Sequence, residues 1–284
     1  MTISVIGKKK QVKKSFEELL VDLTTSSSEK VRYNAARVLG EMGDSKAVEP
    51  LIDVLRNDKN GSVRLYAARA LGELGDSKAT EYLIESLRED RNVDVRVRAA
   101  RAVGRLGGKI VVEPLVEALN DENPQVCITA TDALIEIGDV TTDALIASLT
   151  HEKVNVRCDA TRALGEIGNK KAVDHVIKML YDEWVNVRIY AVTSLGKLND
   201  VKAVPALIEV MKNEKENELV RAGAAAALGV LRDQRALLPL RELIMNAEEL
   251  GELEDTALKS FKKIMAANWQ SIPGASIQKK AATV

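Results

Sequence analysis

The sequence predicts an all-α protein, an α-solenoid (superhelix) of about eight helix pairs. Three observations lead there. First, one segment recurs: VRYNAARVLGEMGD from Val31, VRLYAARALGELGD from Val63, VRVRAARAVGRLGG from Val95, VRCDATRALGEIGN from Val156 and VRIYAVTSLGKLND from Val187. A looser copy, VRAGAAAALGVLRD, starts at Val220. Second, an amphipathic segment precedes each copy. Third, aromatic residues make up only 3% of the 284-residue chain, while Ala, Leu and Val abound, which suits closely packed helices rather than sheets.

The repeated Arg falls at Arg32, Arg64, Arg96, Arg157, Arg188 and Arg221, and Cys127 fills the slot between Arg96 and Arg157. The steps are 32, 32, 31, 30, 31 and 33 residues. Repetition at this period marks units that bury their apolar faces only against neighbouring units. The first segment of a unit reads AVEPLIDVL at Ala47–Leu55, VVEPLVEAL at Val111–Leu119 and AVPALIEVM at Ala203–Met211. Its apolar residues follow i, i+3, i+4, i+7, a helix with one buried stripe. Asp44, Asp76, Asp200 and Asp233 suit N-caps. Pro50, Pro114 and Pro205 follow, so the helix either starts late, near the proline, or bends there. In the second segment Gly40, Gly72, Gly104, Gly165, Gly196 and Gly229 sit inside a helix, at a cost of roughly 1 kcal/mol each relative to Ala. Repetition of that cost implies a close backbone crossing in every unit. Gly43, Gly75, Gly107, Gly138 and Gly168 then end the helix.

Charge excludes several classes. Lys+Arg is 41 and Asp+Glu is 42, a net charge of −1, without the positive surplus that nucleic acid or an anionic membrane demands. No run of about 18 apolar residues is present, and MTISVIGKKK does not read as a signal peptide. Two cysteines, Cys127 and Cys158, give no disulfide framework and fit a reducing cytoplasm. No phosphate loop, nucleophile elbow or paired catalytic constellation occurs.

These repeated residues, VRxxAAxxLG with a leading amphipathic segment, resemble the HEAT-like repeats of the phycobilisome-lyase type across about residues 15–265. The units then read 15–43, 44–75, 76–107, 108–138, 139–168, 169–199, 200–232 and 233–267, with residues 1–14 and 268–284 as expected mobile flanks. The resemblance implies a ladder of contacts between successive turns, made by the Arg and an acid six residues before it: Asp58 with Arg64, Asp90 with Arg96, Asp182 with Arg188. Ser26, His151 and Lys215 stand at that offset before Arg32, Arg157 and Arg221, so the ladder is expected to be incomplete.

The resemblance also implies that the second helices line a concave face, the usual binding surface of a solenoid. Its solvent positions map to Tyr33, Arg37, Leu65, Tyr66, Arg69, Val97, Arg98, Arg101 and Arg105 in the first three units. They continue with Thr129, Cys158, Asp159, Arg162 and Tyr190, and end on a bland set, Ala222, Gly223, Ala226 and Val230. Arg37–Glu41, Arg69–Glu73 and Arg162–Glu166 have the i,i+4 spacing of surface ion pairs. Arg98, Arg101 and Arg105 repel one another without an acid nearby and point to a partner with an acidic surface.

Unit four departs three times: Cys127 for Arg, Thr131 for Ala, Ile135 for Gly. A side chain at the glycine crossing is expected to push helices apart. His151 and His175 are the only histidines, scattered from each other and from the cysteines, so no metal site is expected. HEAT-like iron hydroxylases carry His-Glu pairs inside helices, whereas His151–Glu152 falls in a turn. Trp184, just before a second helix, is expected to pack as a hydrophobic staple. Trp269 and the degenerate eighth unit, with Leu253, Glu254 and Phe261, suit a terminal cap. The basic run Lys8–Lys10 with Lys13 and Lys14 reads as a solvated flank.

The leading functional reading is a non-catalytic module, a scaffold or assembly factor that binds a protein along the second-helix face and needs no cofactor. A bilin lyase or lyase subunit is the alternative the resemblance implies. A nucleic-acid binder is weaker, because Asp132, Glu136, Asp159 and Glu166 interrupt the basic face.

Overall fold

The computed structural model describes residues 14–246 and 251–270, with side chains to 268, so the expected flanks lie almost wholly outside the described residues. The described residues are helical, and the chain divides into two compact units, 1–106 and 107–284. The first holds three helix pairs: α1 (Phe16–Thr25) with α2 (Glu29–Met42), α3 (Val48–Asn57) with α4 (Gly61–Leu74), and α5 (Thr80–Glu89) with α6 (Val93–Leu106). Its second helices pack side by side, α2 on α4 and α4 on α6.

The second unit continues with α7 (Val112–Glu117), α8 (Pro124–Ile137), α9 (Thr142–Ser148), α10 (Val154–Ile167), α11 (Val173–Met179) and α12 (Val185–Leu198). It ends with α13 (Val204–Lys212), α14 (Glu218–Leu231), α15 (Leu237–Met245) and α16 (Glu252–Gln270). Here α10 packs on α12, α12 on α14 and α14 on α16. Among the described residues no helix is long and apolar enough to cross a membrane.

The late start of the first helices has a local cause. Asp44 accepts from the Lys46 N–H at 2.9 Å and caps a 3-10 turn, Ser45–Ala47, before α3 begins at Val48. The same device recurs at Asp76, Asp200 and Asp233. Pro50, Pro114 and Pro205 therefore fall in the first turn of α3, α7 and α13, where a missing N–H breaks no helical bond.

The internal glycines mark real crossings. A Cβ on Gly40 would meet the Ala70 Cβ at 2.7 Å, one on Gly72 the Ala102 Cβ at 2.7 Å, and one on Gly165 the Ser194 Cα at 2.7 Å. Gly196 is looser, at 3.5 Å from Ala227. Where Ile135 takes this slot, α8 packs more sparsely on α10 than α10 does on α12, α12 on α14 or α14 on α16. The core between the layers is aliphatic, with Leu39, Leu51, Leu71, Leu83, Leu115, Leu134 and Leu164 fully buried.

Two expectations need correction. Trp184 is 53% exposed. It is the N-cap of α12, and its N–H donates to Asp182 Oδ1 at 2.9 Å, so its side chain leaves from one position too late to staple the first turn. Thr129 and Cys158, mapped to solvent, are buried; Thr129 turns its hydroxyl onto the Gln125 carbonyl at 2.8 Å. Leu253 is buried in the last helix and Phe261 half-buried; of the basic run, Lys14 pairs with Asp22, while Lys8–Lys10, Lys13 and the Trp269 side chain lie outside the described residues.

Candidate partner-binding face

The repeated Arg is the organising group of the inter-repeat contact, in a register different from the expected one. Its guanidinium reaches the acid of the following repeat. Arg32 donates from Nε to Asp58 Oδ2 at 2.6 Å and from Nη2 to Oδ1 at 3.0 Å. Arg64 grips Asp90 at 2.7 and 2.8 Å, and Arg157 grips Asp182 at 2.8 and 3.0 Å. The contact six residues upstream is to a backbone carbonyl. The Nη1 groups of Arg32, Arg64, Arg96, Arg157 and Arg188 donate to the carbonyls of Ser26, Asp58, Asp90, His151 and Asp182 at 2.8–2.9 Å. Ser26 and His151 therefore keep this carbonyl contact, because every residue type carries that carbonyl.

These bidentate pairs are buried, with Arg32 and Asp58 side chains 10% and 8% exposed. Burial pushes the Asp58 carboxyl up. The Arg32 hydrogen bond, the Asn60 N–H and the charges of Arg32 and Arg64 outweigh it and hold the carboxyl below its ordinary value. Asp182 behaves alike, with Arg157 and the Trp184 N–H against burial.

The ladder fails elsewhere. Cys127 donates only a thiol to the Asp121 carbonyl, at 3.3 Å, and the acid slot it would face holds His151. Both partners of that rung are replaced together. Arg188 reaches Glu216 by one oxygen at 2.8 Å, leaving its buried Nε without a partner. Arg221 donates to the Met211 carbonyl at 3.0 Å.

With these arginines occupied, the second helices of the first unit present the candidate face. The Tyr33 and Tyr66 rings, from α2 and α4, stack with centroids 5.1 Å apart and planes at 18°, a geometry worth roughly 0.5–1.5 kcal/mol beyond its burial. Leu65 on α4 and Val97 on α6 are half-buried. Arg37 pairs with Glu41 at 2.6 Å and Arg69 with Glu73 at 2.8 Å, surface pairs worth a few tenths of a kcal/mol at most. Arg98, Arg101 and Arg105 make no ion pair among the described residues. With Arg69, Gly72, Glu73 and Ala102 they line a cleft of about 260 Å³ between α4 and α6.

In the second unit Asp159 and Tyr190 line a cleft of about 490 Å³ with Cys127, Ile128, Cys158 and Ile189. Burial pushes the Asp159 carboxyl up, opposed by Arg162 and assisted by Asp132. Burial also lifts the Cys127 thiol and takes Cys158 to about 11, so neither is a ready nucleophile. Arg162 lies 3.4 Å from Asp132 and 3.9 Å from Asp159, while Glu166 pairs with Lys197 instead, so the expected Arg162–Glu166 pair does not form.

Against known families, a model of HEAT repeats matches residues 17–104, 80–150, 112–185 and 175–262, nearly the whole described chain. The chain is a HEAT-repeat protein. No curated protein matches its sequence. Among solved structures, these HEAT repeats are similar to the karyopherin Kap121p bound to the extreme C-terminus of the protein phosphatase Cdc14p, with a TM-score of 0.68 and 15% identity over 88% of this chain and 34% of that one. Importin beta gives 0.62 and 12% identity, over 88% of this chain and 41% of that one. The complex of CpcE and CpcF of phycocyanin lyase from Nostoc sp. PCC7120 gives 0.47 and 24% identity, over 93% and 100%. At 15% and 12% identity the first two show a likeness of fold alone, an α-solenoid.

One feature escaped the sequence reading. The positions mapped as bland, Gly223, Ala226 and Val230, line a trough of about 920 Å³ on α12, α14 and α16. Small side chains carry little signal in a sequence, yet they leave the space.

Proposed function

We propose that the protein is a non-catalytic binding module, a scaffold or assembly factor that holds a partner protein on the second-helix face of α2, α4 and α6. The observation that carries this reading is the pairing of a half-exposed tyrosine stack, Tyr33 on Tyr66, with three guanidinium groups on α6 that make no ion pair among the described residues. Tyr and Arg are the residue types that most often dominate interface energies. Like charges held one turn apart favour an anionic surface opposite them. The partner is accordingly a protein with an acidic patch: its carboxylates meet Arg98, Arg101 and Arg105, and an apolar group meets Tyr66, Leu65 and Val97. Arg37 and Arg69, already paired to glutamates, flank the contact. Asp159, Arg162 and Tyr190 are proposed as additional contacts.

The test is an affinity capture from the native cell extract, comparing wild type with a Tyr66→Ala, Arg98→Glu, Arg101→Glu variant. A stoichiometric protein retained only by wild type is the expected result. Equal retention by both would place the contact elsewhere, and the absence of any partner would sink the module reading.

A further inference from the structure

We propose a second binding site, separate from the face above: the trough on α12, α14 and α16 takes an acidic amphipathic helix of a partner protein. At about 920 Å³ it exceeds the other clefts described here. Its floor is α14. Two, five and nine residues after the repeated Arg, α4 carries Tyr66, Arg69 and Glu73, whereas α14 carries Gly223, Ala226 and Val230. Removing those side chains lowers α14 between its neighbours. Packed helices lie 8–10 Å apart, so α12 and α16 stand roughly 20 Å apart with the recessed α14 between them. One further helix, about 10 Å across, fits that width; two turns of it, about 11 Å long, occupy on the order of 850 Å³. The floor is apolar, with Val192 and Leu231 beneath and Val230 50% exposed, which suits the apolar face of a docked helix.

The rim sets the charge of the occupant. Lys197, Arg232 and Lys263 line it. Lys197 pairs with Glu166, but Arg232 and Lys263 make no ion pair among the described residues. The negative end of α14 accounts for a cation at Arg232. It does not account for Lys263, which lies well inside α16. Arg232 is unusual in a second way. It closes α14 with φ 53 and ψ 29, in the left-handed region, where Gly43, Gly75 and Gly168 close α2, α4 and α10. A strained backbone at a charged residue beside a cavity is the pattern of a functional position. Carboxylates along the flanks of the docked helix would meet Arg232 on one side and Lys263 on the other.

The probe is a fluorescein-labelled peptide about four turns long, with Leu and Ala on one face and Glu on the other, followed by fluorescence anisotropy. A counterpart with Lys for Glu is the charge control. The Glu peptide should bind wild type and the Lys peptide should not. Arg232→Asn with Lys263→Gln should weaken binding at least about tenfold. Asn tolerates the left-handed cap, as Asn199 does at φ 48, so this variant should melt like wild type. Ala226→Glu, at an exposed helical position, should block the trough by charge and bulk. Tyr66→Ala, Arg98→Glu, Arg101→Glu should bind the peptide unchanged, which separates this site from the first. No binding of the Glu peptide, equal binding of both peptides, or undiminished binding by the Arg232→Asn, Lys263→Gln variant would each overturn the proposal. Binding of dodecanoate without binding of the peptide would overturn the choice of occupant.

Discussion

Replacing Asp58 by Asn tests the ladder register most directly. Asn keeps an oxygen for the Asn60 N–H, which Asp58 Oδ1 accepts at 2.8 Å, so the turn into α4 survives. What is lost is the carboxylate that Arg32 grips at 2.6 and 3.0 Å. Removing one member of a buried pair costs about 3–5 kcal/mol. Arg32 keeps its bonds to the Ser26 and Ser27 carbonyls at 2.9 and 3.3 Å, which places the cost near the low end, about 3 kcal/mol. Ser26→Ala, at the offset six residues before Arg32 where the sequence reading expects an acid to be missing, should change stability by less than about 0.5 kcal/mol. Urea unfolding of both variants, followed by circular dichroism, gives the comparison. The pH dependence adds a second check. A carboxyl held below its ordinary value stabilises the fold fully above about pH 4. That stabilisation is lost as pH falls through the lower folded value. Asp58→Asn removes this component, so its stability should fall less steeply than wild type below pH 4. A loss under about 1 kcal/mol for Asp58→Asn, or an equal loss for Ser26→Ala, would refute the register.

Three other outcomes follow from the same geometry. Cys127→Arg alone buries a guanidinium with no acid in the ladder slot it faces and should destabilise. Adding His151→Asp supplies the missing partner, so a double-mutant cycle should show a favourable coupling of about 1–3 kcal/mol; no coupling would mean the slots do not face each other. Gly72→Ala should destabilise by about 1–3 kcal/mol despite the better helix propensity, because its Cβ meets Ala102 at 2.7 Å; a gain in thermal midpoint would show that the crossing relaxes freely. Asp159→Asn should stabilise at pH 7, because burial raises the carboxyl in the folded state and its ionised form opposes folding above that value. The gain should vanish below pH 4, and its persistence there in thermal melts would exclude the charge as the cause.

Repeats, helix pairs and glycine crossings were legible because they are local or periodic: Gly40, Gly72 and Gly165 declare a close approach by their cost alone. The ladder was half legible. The sequence presents Asp58 and Arg64 six apart, and the eye pairs them, yet the carboxylate of Asp58 belongs to Arg32, 26 residues earlier. The contact at six residues uses a carbonyl, a group that leaves no mark on residue identity. Trp184 was misjudged through one residue of helix boundary, enough to turn a packed staple into an exposed ring. The candidate face divided along similar lines. Arg98, Arg101 and Arg105 stand out by composition, whereas the Tyr33–Tyr66 stack needs two helices a repeat apart in register. The trough at Gly223 and Ala226 had no signal, since a reading of side chains is blind to their absence.

The paired loss at Cys127 and His151 has a mechanical consequence. A stack of repeats behaves as a chain of nearest-neighbour couplings, whose joint strength decides whether units melt together or one by one. The joint between α8 and α10 combines a missing ion pair with an isoleucine in the glycine slot and sparser packing, which makes it the weak link of the second unit. Under heat or pulling force, rupture should begin there, and hydrogen exchange should report it first in the α8 amides. Partial unfolding then has a defined address in the chain, set by Cys127, Ile135 and His151, which all depart from the repeat pattern.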